Sequence, residues 1–177
     1  MFKKKITLLC ILMAVLLLPC FALSPKDIIF GVGAEGLGSV TDTSGAVCAQ
    51  IDIGANLDAG VFVSDNIGVV FTAAFDFRAF AKQYNRFIDV PKTKKIEAGI
   101  GVLWKNEGFA LSGSAGLVMT DIGNTWDCGA FLRIVPKFYI FEYEALDYAI
   151  GIPVEVVYSG NISSLSIGVM ARMEVDL

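Results

Sequence analysis

Residues 148–158 read YAIGIPVEVVY, and residues 165–177 read LSIGVMARMEVDL. In the first run every even position is apolar, from Tyr148 through Ile150, Ile152, Val154 and Val156 to Tyr158. The parity switches after Ser159, Gly160 and Asn161. Leu165, Ile167, Val169, Ala171, Met173, Val175 and Leu177 then alternate with Ser166, Gly168, Met170, Arg172, Glu174 and Asp176. Alternation of this length describes strands with one apolar and one polar face, and a short polar break between two of them describes a hairpin. An apolar strand face must be covered by a second sheet or by lipid.

Upstream, the same pattern recurs. It spans about 28–38 (Ile28, Phe30, Val32, Ala34), 47–63 (every odd position apolar), 67–79, 96–105, 109–119 and 129–141. Polar stretches at 39–46, 81–95, 120–127 and 159–162 alternate with tight turns at Ser64–Asn66, Asn106–Gly108 and Glu144–Asp147. No helical period separates any two segments, which argues against parallel crossovers. The expected fold is all-β, an eight-stranded antiparallel up-and-down barrel. Alternating long and short connections are the habit of transmembrane barrels, with the tight turns periplasmic and the longer loops outside.

The amino terminus carries Lys3, Lys4 and Lys5, an apolar run from Ile6 to Leu18, and then Cys20 and Ala22 at −3 and −1 of a cleavage site. That describes a secretory signal peptide, residues 1–22, cleaved after Ala22, with residues 23–177 as the exported barrel domain. A retained anchor and a lipoprotein reading at Cys20 are the alternatives; the run is short for a span, and Pro19 suits a lipobox poorly. Removing the three leader lysines from 14 basic residues leaves 11 against 18 acids, net −7. An acidic chain is a poor match for nucleic acid or anionic surfaces. Cys48 and Cys128 fall on the second and sixth strands, on opposite walls, too far apart for a disulfide, so they are expected as free thiols.

Alternation alone does not distinguish a lipid-facing barrel from a soluble lipocalin-like barrel with an apolar, ligand-binding interior. Three features favour lipid. The polar face is rich in Gly, Ser and Ala, which suits a crowded lumen. Aromatics mark both ends of the apolar face, with Trp104, Phe109 and Tyr148 near the tight turns and Phe75, Phe77 and Tyr158 near the other rim, as in an aromatic girdle. The last segment is itself an amphipathic strand. Signal peptide, eight strands, a Ser-Asp-Asn-Ile-Gly turn at 64–68 and the terminal alternating strand together resemble the small outer-membrane β-barrel family of OmpX, the OmpA membrane domain and OmpW. The resemblance implies a bacterial outer-membrane location, contact with lipid and assembly by the barrel-assembly machinery. Members usually end in an aromatic residue, where this sequence has Leu177.

An eight-stranded barrel is just wide enough for its inward side chains to fill it. The expected lumen charge cluster is Glu35, Asp52, Asp76, Arg78, Glu97, Arg133, Lys137, Glu155 and Arg172, with Asp58, Lys105, Glu174 and Asp176 also inward. Arg78 and Arg133 are expected to meet Asp52, Asp76, Glu97 and Glu155 in one upper cluster. Such a cluster serves either as a selectivity region or as a structural plug. Pro136 and Pro153 lie on neighbouring strands at nearly one height, which suggests a lateral seam, as proposed for OmpW-like barrels, or a local β-bulge. The sequence holds no histidine, which removes Ser/His/Asp chemistry, and two isolated cysteines make no convincing metal site. No catalysis, metal or cofactor is expected. The remaining functions are a narrow conduit, a structural wall protein, or a surface adhesin using loop 81–95 with its Tyr84, Arg86, Phe87 and Pro91.

Overall fold

The computed structural model describes residues 28–43, 46–83, 94–122, 125–143, 145–160 and 162–177. The leader, with Cys10 and Cys20, and the central part of loop 81–95 lie outside these residues. The strands are β1 (Ile28–Thr43), β2 (Ala46–Ser64), β3 (Ile67–Gln83), β4 (Lys94–Asn106), β5 (Phe109–Ile122), β6 (Thr125–Tyr143), β7 (Leu146–Gly151), β8 (Val154–Ser159) and β9 (Ile162–Asp176). All pairings are antiparallel, β1 to β6 pair in sequence order, and β1 closes onto β9 from Ile29 opposite Asp176 to Thr43 opposite Ile162. β7 and β8 both lie between β6 and β9, so the nine segments make eight staves of one closed barrel. Closure leaves no unpaired edge along the closed wall, which is what a sheet needs where no water can satisfy its backbone.

The alternation sets the facing. Ile150, Ile152, Val154, Val156 and Tyr158 are exposed, whereas Ala149, Gly151, Pro153, Glu155, Val157 and Ser159 are buried. The same division holds on the other staves, where Phe30, Val32, Ile51, Ile53, Leu117, Leu132, Ile134, Ile167 and Val169 are exposed and the charged residues point inward. The apolar face therefore lies outside. This is the reverse of a lipocalin-like ligand barrel, and it overturns the soluble alternative.

The staves are longer than the hydrophobic pattern suggested. Pairing continues through Thr43 and Ala46, to Gln83, from Lys94, and from Ile122 to Thr125, so much of the expected loops 39–46, 81–95, 120–127 and 159–162 is strand. Backbone hydrogen bonds need no apolar side chain, and above the greasy band the pattern fades while the ladder persists. On the opposite rim the connections are tight, at Asp65-Asn66, Glu107-Gly108 and around Ala145. Gly108 adopts φ 70°, a left-handed conformation that glycine takes without cost.

Three irregularities fall between Ile51 and Asp52 opposite β3, between Phe62 and Ser64, and between Tyr139 and Phe141. Each slips the alternation by one, so Ile140 and Phe141 both face outward, as do Ala79 and Phe80. None coincides with a proline. The pairing of β6 with β7 and β8 keeps one register on both sides of Pro153, from Lys137 opposite Gly151 to Ile134 opposite Val154. Pro136 still accepts a hydrogen bond from the amide of Ile152 at 3.0 Å, and Pro153 accepts one from Gly168 at 3.0 Å. The two prolines do sit side by side. Pro136 lacks its donor toward β7, and Pro153 lacks its donor toward β9, so they weaken two different ladders by one bond each. The local bulge expected here is displaced to Ile140.

Candidate functional site

The interior is a column of charge, read most simply from the tight-turn rim upward. At the rim, Lys105 on β4 donates to Asp147 on β7 and Asp176 on β9, both at 2.7 Å, and its ammonium lies 4.7 Å from the centre of the Tyr139 ring. Beside it Ile29, Val70, Leu103 and Ala110 form a dry cluster, with Phe62 and Tyr139 packed on it. These apolar side chains occupy inward positions near the tight-turn rim.

The next layer is balanced. Lys137 and Arg172 both donate to Glu174 Oε1 at 2.7 Å, Tyr139 donates its hydroxyl to Glu174 Oε2 at 2.6 Å, and Arg172 meets Asp58 at 2.9 Å. Lys137 is 1% exposed and Glu174 is fully buried. Two cations face two carboxylates, and the hydrogen bonds are short and charge-assisted, which is what a buried pair needs to offset the several kcal/mol of desolvation per ion. Arg172 also donates to Asn56 at 2.8 Å, and Asn56 donates to Glu35 at 2.9 Å, which links this layer to the one above.

The middle layer is built on Arg133. Its guanidinium forms two hydrogen bonds with Glu35 and approaches Glu155 at 3.4 Å and Glu97 at 3.6 Å. Lys95, expected in the loop, turns inward from the start of β4. Its ammonium lies 2.5 Å from Glu155, 2.8 Å from Glu97 and 3.1 Å from Asp76. Toward the loop end, Val118, Phe131 and Val157 form a second apolar cluster, and Asp52 accepts from Gln50 at 3.0 Å and Ser39 at 3.4 Å. Arg78 meets Asp52 at 3.7 Å.

All nine residues expected in the lumen cluster are inward, but they do not form one upper cluster. Arg78 pairs with Asp52 alone among them. Arg133 is divided from that pair and gathers Glu35, Glu97 and Glu155, while Lys137 and Arg172 belong to the layer below. Lys95 was missed because it sits at the edge of a polar run, where alternation has no apolar neighbours to reveal it; its even–odd relation to Glu97 was the available signal. Among the described residues the best-defined cavity measures ≈ 10 Å³ and is lined by Asn56, Asp58, Thr72, Ser114, Arg133 and Arg172 with five neighbours. That is about the room for one water.

Outside, Phe75, Phe77, Trp104, Tyr148 and Tyr158 are exposed and Phe109 is half-buried. Trp104, Phe109 and Phe138 form a contiguous aromatic run, with centroids 5.9 Å and 5.2 Å apart, and Phe141 lies 6.4 Å from Tyr148. The band near the tight turns thus includes Phe138 and Phe141, which the sequence reading did not place in it. Cys48 and Cys128 are free thiols. Among the described residues no cluster of His, Cys, Asp and Glu has a geometry that could hold a metal ion.

A closed eight-stave barrel, apolar outside and charged within, matches solved structures along most of its length. Ail, the attachment invasion locus protein of Yersinia pestis, aligns over 84% of this chain and 99% of its own, at 13% identity and a TM-score of 0.57. Neisserial surface protein A aligns over 84% of this chain and 97% of its own, at 15% identity and a TM-score of 0.53. The fold is that of the small outer-membrane β-barrels. A second structure similar to this chain is Ail in complex with the heparin analogue sucrose octasulfate, at a TM-score of 0.55. No family model and no curated protein matches the sequence.

Proposed function

We propose that this chain is an exported, integral outer-membrane barrel with a closed interior, a wall protein whose working surface is its loop end. The observation that carries the reading is the filled middle of the lumen. Arg133 and Lys95 draw together buried carboxylates from β1, β3, β4 and β8 across the barrel. In this reading the leader is removed after Ala22, and residues 23–177 are inserted by the barrel-assembly machinery with the tight turns periplasmic. A lateral conduit at Pro136 and Pro153 has little support, because the ladder stays in register past them.

The test is planar-bilayer recording of the heat-modifiable, refolded protein. The wild-type barrel should give no reproducible conductance steps. Regular steps that disappear on altering Arg133 would replace the closed wall with a narrow channel.

One observation favours a more specific use of the loop end. Residues 81–95 carry Lys82, Arg86, Lys92, Lys94 and Lys95 against the single acid Asp89. Lys95 is committed inside, which leaves a local basic excess on an acidic chain. We read this as a surface for an acidic partner of the sulfated-glycan kind, a class represented by the heparin analogue bound to Ail. Replacing residues 84–92 by a short Gly-Ser turn should abolish salt-sensitive retention on heparin and leave the heat-modifiable barrel intact. Unchanged retention would end this adhesin reading.

A further inference from the structure

The cavity of ≈ 10 Å³ is walled by Lys137 and Arg172 of one charged layer and by Arg133 of the next, and no residue that lines it is more than 8% exposed. The sequence accounts for the space. Asp58 and Thr72 stand opposite each other on β2 and β3. Beside them Val70 faces Gly101 on β4, and Gly101 faces Ser114 on β5. The neighbouring inward position on β5 is Ser112. A glycine and two serines are too small to reach across to the long charged side chains of β6 and β9.

The wall is polar on most sides, and only Val70, Val135 and Met170 in it are apolar. Several of its groups have hydrogen-bonding capacity to spare. Both ion pairs of Asp58 run through Oδ2, to Arg172 at 2.9 Å and to Lys137 at 3.8 Å, so Oδ1 is still an acceptor. The Ser112 hydroxyl reaches the Val135 carbonyl only at 3.5 Å. Thr72 and Ser114 take no part in the hydrogen bonds that join the charged side chains of the two layers. A gap with this room and with donors and acceptors on several sides takes a water, whereas an apolar one stays dry. Three cationic side chains in the wall disfavour a metal cation. A chloride ion is larger than the water for which there is room.

We propose that this cavity is a binding site for a single internal water, held by the Thr72 and Ser114 hydroxyls and the Asp58 carboxylate. The water donates to Asp58 and to one hydroxyl, and it accepts from the other hydroxyl or from a wall cation. It joins the Lys137–Arg172 layer to the Arg133 layer on the β3–β5 side, as Asn56 joins them on the other. A bridging water of this kind is nearly as good as a direct hydrogen bond. The site rests on the interior being closed, which traps the molecule, and it is independent of what the loop end binds.

Crystals of the refolded barrel, at a resolution that shows ordered solvent, should have one density peak within hydrogen-bonding distance of Thr72, Ser114 and Asp58. Oxygen-17 relaxation dispersion in detergent should count that water among the long-lived ones. Ser114→Val fills the space with methyl groups and should lower the count by one. Thr72→Val removes one partner at constant shape and should lower the folding constant about tenfold, the worth of one buried hydrogen bond. An empty cavity would overturn the proposal, as would a folded Ser114→Val barrel with an unchanged count or a Thr72→Val barrel as stable as the wild type. An anomalous peak in the cavity after a bromide soak would overturn it in favour of an anion site. Conductance steps in planar bilayers would remove the closed interior itself; silent bilayers with an empty cavity would remove this site alone.

Discussion

Arg133 and Ile134 are adjacent on β6, yet they live in different solvents. Arg133 is 4% exposed and holds Glu35, Glu97 and Glu155, whereas Ile134 is 47% exposed on the outer wall. The wall's side-chain contacts are apolar and aromatic, as in the Trp104–Phe109–Phe138 run, and its positions tolerate apolar residues that sit well in lipid. The interior is specific, because each buried charge requires a named partner. The difference shows how one barrel can be permissive on one face and exacting on the other at a spacing of a single residue.

Four substitutions test that contrast. Arg133→Ala strands three carboxylates and should cost about 3–5 kcal/mol, read as a lower urea midpoint from lipid vesicles. Ile134→Arg places a charge in the lipid band and should cost about 2–4 kcal/mol near the midplane and less near either rim, so a set of such variants along β6 would map the band. Arg78→Ala breaks one partly exposed pair at 3.7 Å; a loss of about 1 kcal/mol or less is expected, in keeping with weak pairs at the water margin. Pro153→Ala restores one donor to Gly168 on β9 and frees the unfolded chain. These oppose each other at about 1 kcal/mol each, so the midpoint should barely move. If Arg133→Ala proves milder than Arg78→Ala, the depth ordering of the lumen is wrong.

The aromatic band shows how far local pattern reaches. Trp104, Phe109 and Tyr148 sit near the tight turns by simple alternation, whereas Phe75 and Phe77 are exposed well short of the end of β3 at Gln83 and Tyr158 is exposed beside the end of β8. Phe141 joins the band only because Ile140 bulges and reverses the parity. A bulge is a property of two paired strands and leaves little mark on either sequence. Lys95 illustrates the same limit from the inside. Its partners Asp76 and Glu155 come from β3 and β8, so its role depends on closure of the barrel.

Strand number, antiparallel order and the inward or outward sense of most residues followed from the period-two pattern, because side chains on a strand alternate whatever it pairs with. The lumen charges were recognisable for the same reason. Which charge meets which, where pairing outlasts the apolar pattern, and that Pro136 and Pro153 weaken different ladders all required the closed sheet. Those features are set by register and stagger, which bring together side chains 22 to 98 residues apart around Arg133 alone. Alternation records the face a residue takes and carries no information about its height in the barrel.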